Sequence, residues 1–245
     1  AQVLNTELGS RLFRSFVEVN PIAVSQNFHR QFSNKTTEEL LKVVRGRRNI
    51  VWTLEKLCFD RRTFNESAKI LYAFAVAEKE TWANNATGQF LQLFHILLSG
   101  TEADLKDKWR IIEWGLNKQD DGFKLLSIKA MKAGLNASHF YRTGGAEKQG
   151  TKQLQDNNPT RNEILEYWDN ILAKLTAIIE QNNQYSDLAS EIVANSIREV
   201  IHTGFSQTIL PYLERIVELK KNDWDKGLEN LKMTLHYERN AVAKE

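Results

Sequence analysis

Residues 160–180 read TRNEILEYWDNILAKLTAIIE. Ile164, Leu165, Trp168, Ile171, Leu172, Leu175, Ile178 and Ile179 recur at helical spacing, three and four residues apart. That puts them on one wide face, as a helix packed against a core requires. Thr160 and Glu163 form a capping-box pattern directly after Pro159, which predicts the helix start. This stretch sets the expectation for the chain: its dominant period is helical.

Working outward, the same signals return. Thr36 and Glu39 repeat the capping box. Asn20 before Pro21 places a cap and a first-turn proline ahead of PIAVSQNFHRQF. Further helices read at about 7–19, 47–58, 62–78, 87–99, 103–117, 120–133, 186–202, 205–220 and 223–239. Residues 87–99 are apolar almost all round, which predicts a central buried helix. Gly100, Gly134 and Gly204 fall where helix stops are expected. No stretch alternates apolar and polar long enough to demand a strand.

The expected fold is all-α. Several helix starts lie about 40 residues apart, the spacing of paired-helix HEAT or armadillo repeats. An α-solenoid is therefore the leading arrangement, with an irregular helical bundle as the alternative. Residues 134–159, GLNASHFYRTGGAEKQGTKQLQDNNP, break the helical pattern and hold four of the 12 glycines. The domain reading is an N-terminal helical repeat subdomain at 1–134, a long connecting loop at 135–159 and a C-terminal helical subdomain at 160–245.

Composition narrows the function. The longest near-continuous apolar run, around 90–98, is too short to cross a bilayer. There is no basic-then-apolar leader pattern. The single cysteine, Cys58, sits in an apolar context and excludes an internal disulfide. A cytoplasmic protein without membrane partners is expected. The chain starts at Ala1, which leads to the expectation of a processed chain or a piece of a longer one.

Net charge is +2, but residues 1–62 carry 11 Lys/Arg against 6 Asp/Glu. Arg45, Arg47, Arg48, Arg61 and Arg62 concentrate that excess. They are candidate contacts to phosphates or an acidic partner, so nucleic-acid binding is the alternative function.

Catalytic patterns fail on inspection. Gly145 to Lys152 has the glycine spacing of a P-loop, but its last two residues are swapped to Thr151-Lys152 and no strand leads in. Glu199 and His202 make one Glu-x-x-His unit where a di-iron bundle needs two. His95 lies in an apolar run and reads as a core residue. No metal or cofactor is expected, and the chain by itself is not read as an enzyme. An enzyme with a dispersed site, acting on a phosphorylated ligand near Arg142 and Lys148, is the third hypothesis. Trp52, Trp168 and Trp224 fall in apolar helical patterns and are expected in the core. Trp109 and Trp114 point about 140° apart at helical pitch, which predicts that one is exposed. The ligand-binding candidates of the loop are His139, Tyr141, Arg142, Lys148 and Lys152, since arginine, tyrosine and lysine suit recognition of a protein or an anion.

Residues 46–106, GRRNIVWTLEKLCFDRRTFNESAKILYAFAVAEKETWANNATGQFLQLFHILLSGTEADLK, resemble a segment of the helical C-terminal regions of STAND-type NTPases. Trp82-Ala-Asn84-Asn85-Ala-Thr-Gly88, the Trp109–Trp114 helix and the glycine-rich loop with Arg142 carry the resemblance, which extends over about 46–160. It implies a helical repeat sensor. In antiviral, Avs-type members such a sensor recognises a phage protein, such as the terminase or portal, and triggers oligomerisation and an effector. This chain departs from a complete member: it has no P-loop, Walker B strand or effector. The resemblance therefore implies a protein-binding sensor module, with any oligomerisation driven by domains of a parent protein.

Overall fold

In the computed structural model, residues 3–82, 84–136, 152–221 and 223–242 are described. Among them twelve α-helices follow a short 3-10 turn, Val3–Asn5: α1 Glu7–Val19, α2 Pro21–Phe32, α3 Thr37–Leu41, α4 Arg47–Phe59, α5 Arg61–Val76, α6 Ala86–Gln92, α7 Leu105–Leu116, α8 Asp121–Gly134, α9 Arg161–Glu180, α10 Ser186–His202, α11 Ser206–Leu219 and α12 Asp225–Val242. The protein is all-α, and no described helix is long and apolar enough to cross a membrane.

Local chemistry sets the boundaries. The Thr36–Glu39 and Thr160–Glu163 capping boxes both form. Asn20 caps α2 by accepting from Ala23 N, with Pro21 in the first turn. Asp60 plays the same part for α5. Each joint is one residue long, and Asn20 and Asp60 stand about 40 residues apart in the chain. After α10, Gly204 takes φ +83°. Its N–H donates to Ile201 O at 2.9 Å, and that of Phe205 to Val200 O at 3.0 Å. This is a Schellman stop, which glycine adopts without Cβ strain.

The chain divides into two compact units. The described residues of 1–127 and 140–158 form the first, and those of 128–139 and 159–245 the second. The division falls inside α8, and the end of the connector, 152–158, belongs with the first unit.

In the first unit α5 is central. Phe64, Ala68, Leu71, Tyr72 and Phe74 are almost wholly buried, and the helix packs on α2, α3, α4, α6 and α7. Gly115 lets α7 come close, since a Cβ there would lie 2.2 Å from Tyr72 Oη. Helix α1 packs on α4, with Asn49 Nδ2 donating to Ser10 Oγ (3.0 Å) and Lys56 Nζ to Glu18 (2.7 Å). Contacts therefore advance in the same sense along both helices, which run parallel. Helix α2 packs on α5 likewise, through Ser25–Ser67 and Phe32–Phe74.

The second unit repeats this plan. Helix α9 packs on α11, where Tyr212 Oη donates to Asp169 (2.6 Å) and Arg215 pairs with Glu180. Helix α10 packs on α12, through Glu191–Lys226, Ala194–Asn230 and His202–Glu238. Trp168 fills the core and donates its indole N–H to Gly134 O. Across these helix pairs the hydrogen-bonded partners lie between 35 and 43 residues apart in sequence.

Three expectations are corrected. The helix expected over 87–99 stops at Gln92. Phe90, Phe94 and Ile96 are buried, but Leu97 and Leu98 are about half exposed, and Leu98 has φ +51°. Tertiary hydrogen bonds replace the helical ones there: Lys108 Nζ donates to His95 O and Ser99 Oγ, each at 2.8 Å. Asp156 Oδ1 accepts from the backbone N–H of Gly100 at 2.7 Å and of Thr101 at 3.1 Å. Second, Trp168 and Trp224 are buried as expected, but Trp52 is only half-buried. Third, Trp109 and Trp114 are both half-buried, neither one standing exposed.

Candidate protein interface

The five arginines of the basic excess do not form one open patch. Arg47 is a correction to the surface role expected of it, being 1% exposed. Its guanidinium donates to Phe74 O (2.8 Å), Ala77 O (2.6 Å) and Leu40 O (3.2 Å). A cation is thus aimed at the carbonyl-rich ends of α3 and α5, where the helix dipole is negative. Burial pulls its pKa down, while Glu78 and Glu80 oppose that. Arg61 is paired with Asp104 and Asp107. Arg62 Nε donates to both Asp60 oxygens, at 3.0 and 3.1 Å. Burial pushes the Asp60 carboxyl up, but the hydrogen bonds from Arg62 and the charge of Lys152 outweigh it, leaving the pKa below its ordinary value. Lys152 joins this group, 2.6 Å from Glu102 and 3.8 Å from Asp60. Arg61, Arg62 and Lys152 are therefore brought together, but around carboxylates that neutralise them. His139, Tyr141, Arg142 and Lys148 lie outside the described residues.

Arg45 and Arg48 remain exposed, and Arg48 belongs to a different construction. Arg48 and Trp52 are four apart on α4, so their side chains meet. The guanidinium lies 4.4 Å from the Trp52 ring centre and 5.0 Å from that of Trp82. The packing of α1 on α4 brings Arg14 to 4.5 Å from the same Trp52 ring. The result is a run Arg14–Trp52–Arg48–Trp82 at the surface of the first unit. Each cation–π contact holds its cation at a fixed position over an apolar plate. Arginine and tryptophan are the residues most enriched among those dominating protein–protein binding energy. Three of these four were singled out in the sequence, in other roles: Trp52 as core, Arg48 as a phosphate contact and Trp82 as a mark of resemblance. The i, i+4 step from Arg48 to Trp52 was the available signal for their pairing. Nothing local in the sequence points to Arg14.

A cleft of about 840 Å³ lies between α2, α3, α5 and the α7–α8 link. Phe32, Leu40, Ile70 and Phe123 give it an apolar floor. Trp114 lines it, with Lys118 at 4.2 Å and Lys69 at 5.9 Å from the ring centre. His29 Nδ1 pairs with Glu66 at 2.8 Å on its rim. Lys35, Lys69 and Lys118 line the cleft together with Glu38, Glu66 and Asp120, so it carries no strong preference for one sign of charge. An apolar floor with a mixed polar rim suits an apolar side chain presented by a peptide or protein.

Ser99 and Lys108 form a pair with the chemistry of a base-activated nucleophile. Burial pushes the Lys108 amine down to about 7, against the opposing charges of Asp156 and Asp104. Yet both side chains are wholly buried, so no substrate reaches them. The amine holds the 95–101 turn in place. Among the described residues, no three His, Cys, Asp or Glu side chains cluster as a metal site would require.

No family model, curated protein or solved structure matches the chain.

Proposed function

We propose that this chain is a protein-binding module made of stacked helix pairs, and that Arg14, Trp52, Arg48 and Trp82 form the centre of its binding surface. The observation that carries the reading is the cation–π run itself, in which Arg48 and Trp82 are exposed and Arg14 and Trp52 half-buried. It has the composition and rigidity of an interface anchor and no catalytic partner. The parallel packing of α1 on α4, α2 on α5, α9 on α11 and α10 on α12 supports a HEAT-like array, whose layers serve binding. The neutralised Arg61 and Arg62 and the buried Arg47 weigh against the nucleic-acid alternative.

The resemblance of residues 46–160 to STAND sensor regions supplies the wider reading. In it the module recognises a phage structural or packaging protein for a cytoplasmic prokaryotic antiviral NTPase, whose other domains oligomerise. The test is direct binding of purified terminase and portal proteins to the chain, with Arg48→Ala and Trp52→Ala as controls. Binding that drops tenfold or more in both variants supports the reading. Binding that ignores both variants removes the assigned surface. A parent protein without an NTPase module removes the STAND context while leaving the surface intact.

A further inference from the structure

Helix α1 is apolar over two neighbouring sectors, one turned inward and one outward. Inward it presents Gly9, Ser10 and Val17, all buried, with Phe13 packed on Phe28. Outward it presents Leu8 and Val19, 71% and 79% exposed, and Leu12 and Phe16, each 48% exposed. At helical pitch these four and Ser15 fall within a sector of about 100°. An outward stripe of four apolar residues, interrupted only by Ser15, is unusual on a surface helix and marks a contact.

The charges beside the stripe say what fits it. Arg11 and Glu18 are exposed and lie on the same flank of the sector. Among the described residues Arg11 pairs with no carboxylate, while Glu18 meets Lys56 with one oxygen. When two copies of a helix pair antiparallel about a two-fold axis, each flank faces the same flank of the other copy. Opposing Leu8 to Val19 of the second copy sets Leu12 against its Ser15 and Phe16. Arg11 then lies two positions, or about 3 Å along the axis, from Glu18 of the second copy, well within arginine reach. Symmetry makes that ion pair twice. The stripe and its flank are thus self-complementary in one register.

We propose that a second copy of this chain covers α1, through an antiparallel α1–α1 seam of Leu8, Leu12, Phe16 and Val19 closed by reciprocal Arg11–Glu18 pairs. The four apolar residues of this seam point away from α4, which separates it from the arginine–tryptophan run, while Glu18 on its flank also pairs with Lys56 of α4. Two to three turns of helix bury less than a standard interface, so the dimer dissociates in the micromolar range, on the order of 10 µM.

Sedimentation equilibrium of the full chain from about 1 to 100 µM tests this. The expected result is a monomer–dimer equilibrium that Leu12→Glu shifts to monomer while helical circular dichroism is retained. Arg11→Glu and Glu18→Arg each weaken the dimer several-fold, and the double variant Arg11→Glu/Glu18→Arg restores it. A monomer over the whole range overturns the proposal, as does a dimer indifferent to Leu12→Glu. Failure of the double variant to restore what the single ones lose overturns the antiparallel register.

Discussion

The Arg48 guanidinium stands 4.4 Å from the centre of the Trp52 ring, and that ring is also 4.5 Å from Arg14. Trp52 is thereby a shared plate between two helices, neither core nor free surface. Each cation–π contact at such a half-exposed site contributes on the order of 0.5–1 kcal/mol. Arg48→Ala removes two such contacts and is expected to cost the fold no more than about 2 kcal/mol in urea unfolding. A tenfold or greater loss of partner affinity in the same variant then reads as an interface effect.

Arg47 behaves in the opposite way. Its buried guanidinium donates to the carbonyls of Leu40, which also accepts from Val43 N–H, and of Phe74 and Ala77. Arg47→Met leaves them in a dry interior and is expected to destabilise the first unit by about 2–5 kcal/mol. The midpoint of chemical unfolding measures this, and a change under about 0.5 kcal/mol contradicts the assigned role.

Lys108 gives the protein a pH dependence of known sign. Its amine is pushed down to about 7 in the folded chain, from an ordinary value of 10.5, by burial first. Between those values the unfolded chain binds the extra proton, so stability rises with pH through that window, by at most about 1.4 kcal/mol per pH unit. Below about 7 this contribution levels off. His95, pushed down to about 4 by burial and by the charge of Lys108, acts in the same sense. Its contribution is full above its unfolded value and is lost as pH falls toward 4. Thermal unfolding as a function of pH checks both, and Lys108→Met is expected to flatten the upper window and, by removing the charge that opposes His95 protonation, to shrink the lower one.

Asp156 anchors the end of the connector. Its carboxylate accepts from two successive backbone N–H groups, those of Gly100 and Thr101. Asp156→Ala is expected to cost about 1–3 kcal/mol and to speed hydrogen exchange at residues 100–104. Unchanged exchange there removes the anchoring role.

The helices were legible because their signals are local. Capping boxes at Thr36 and Thr160, Asn20-Pro21, and the apolar stripe of 160–180 each act within one or two turns. The 87–99 reading failed where distant residues intervened. Lys108 and Asp156 lie outside that segment, and together they outcompete continuation of an apolar helix. Arg47 misled for a related reason. RGRR looks like a surface cluster, and nothing nearby shows that the ends of α3 and α5 converge on its second arginine. The spacing of helix starts by about 40 residues is matched by parallel packing of partners 35–43 apart, although the sequence shows no clean self-similarity. Spacing is set by helix length and short joints, and many apolar side chains satisfy it. The surface run needed both levels: Arg48 and Trp52 meet by helical pitch, but Arg14 and Trp82 arrive through the fold.

The central claim is that Arg14, Trp52, Arg48 and Trp82 bind another protein. Isothermal titration of terminase and portal proteins into the full chain, in parallel with Trp52→Ala, tests it most directly. The account expects micromolar or tighter binding by one of them, with a dissociation constant raised at least about tenfold in the variant, as loss of an interface anchor requires. Binding of equal strength by the two chains, or none to the unsubstituted one, contradicts it.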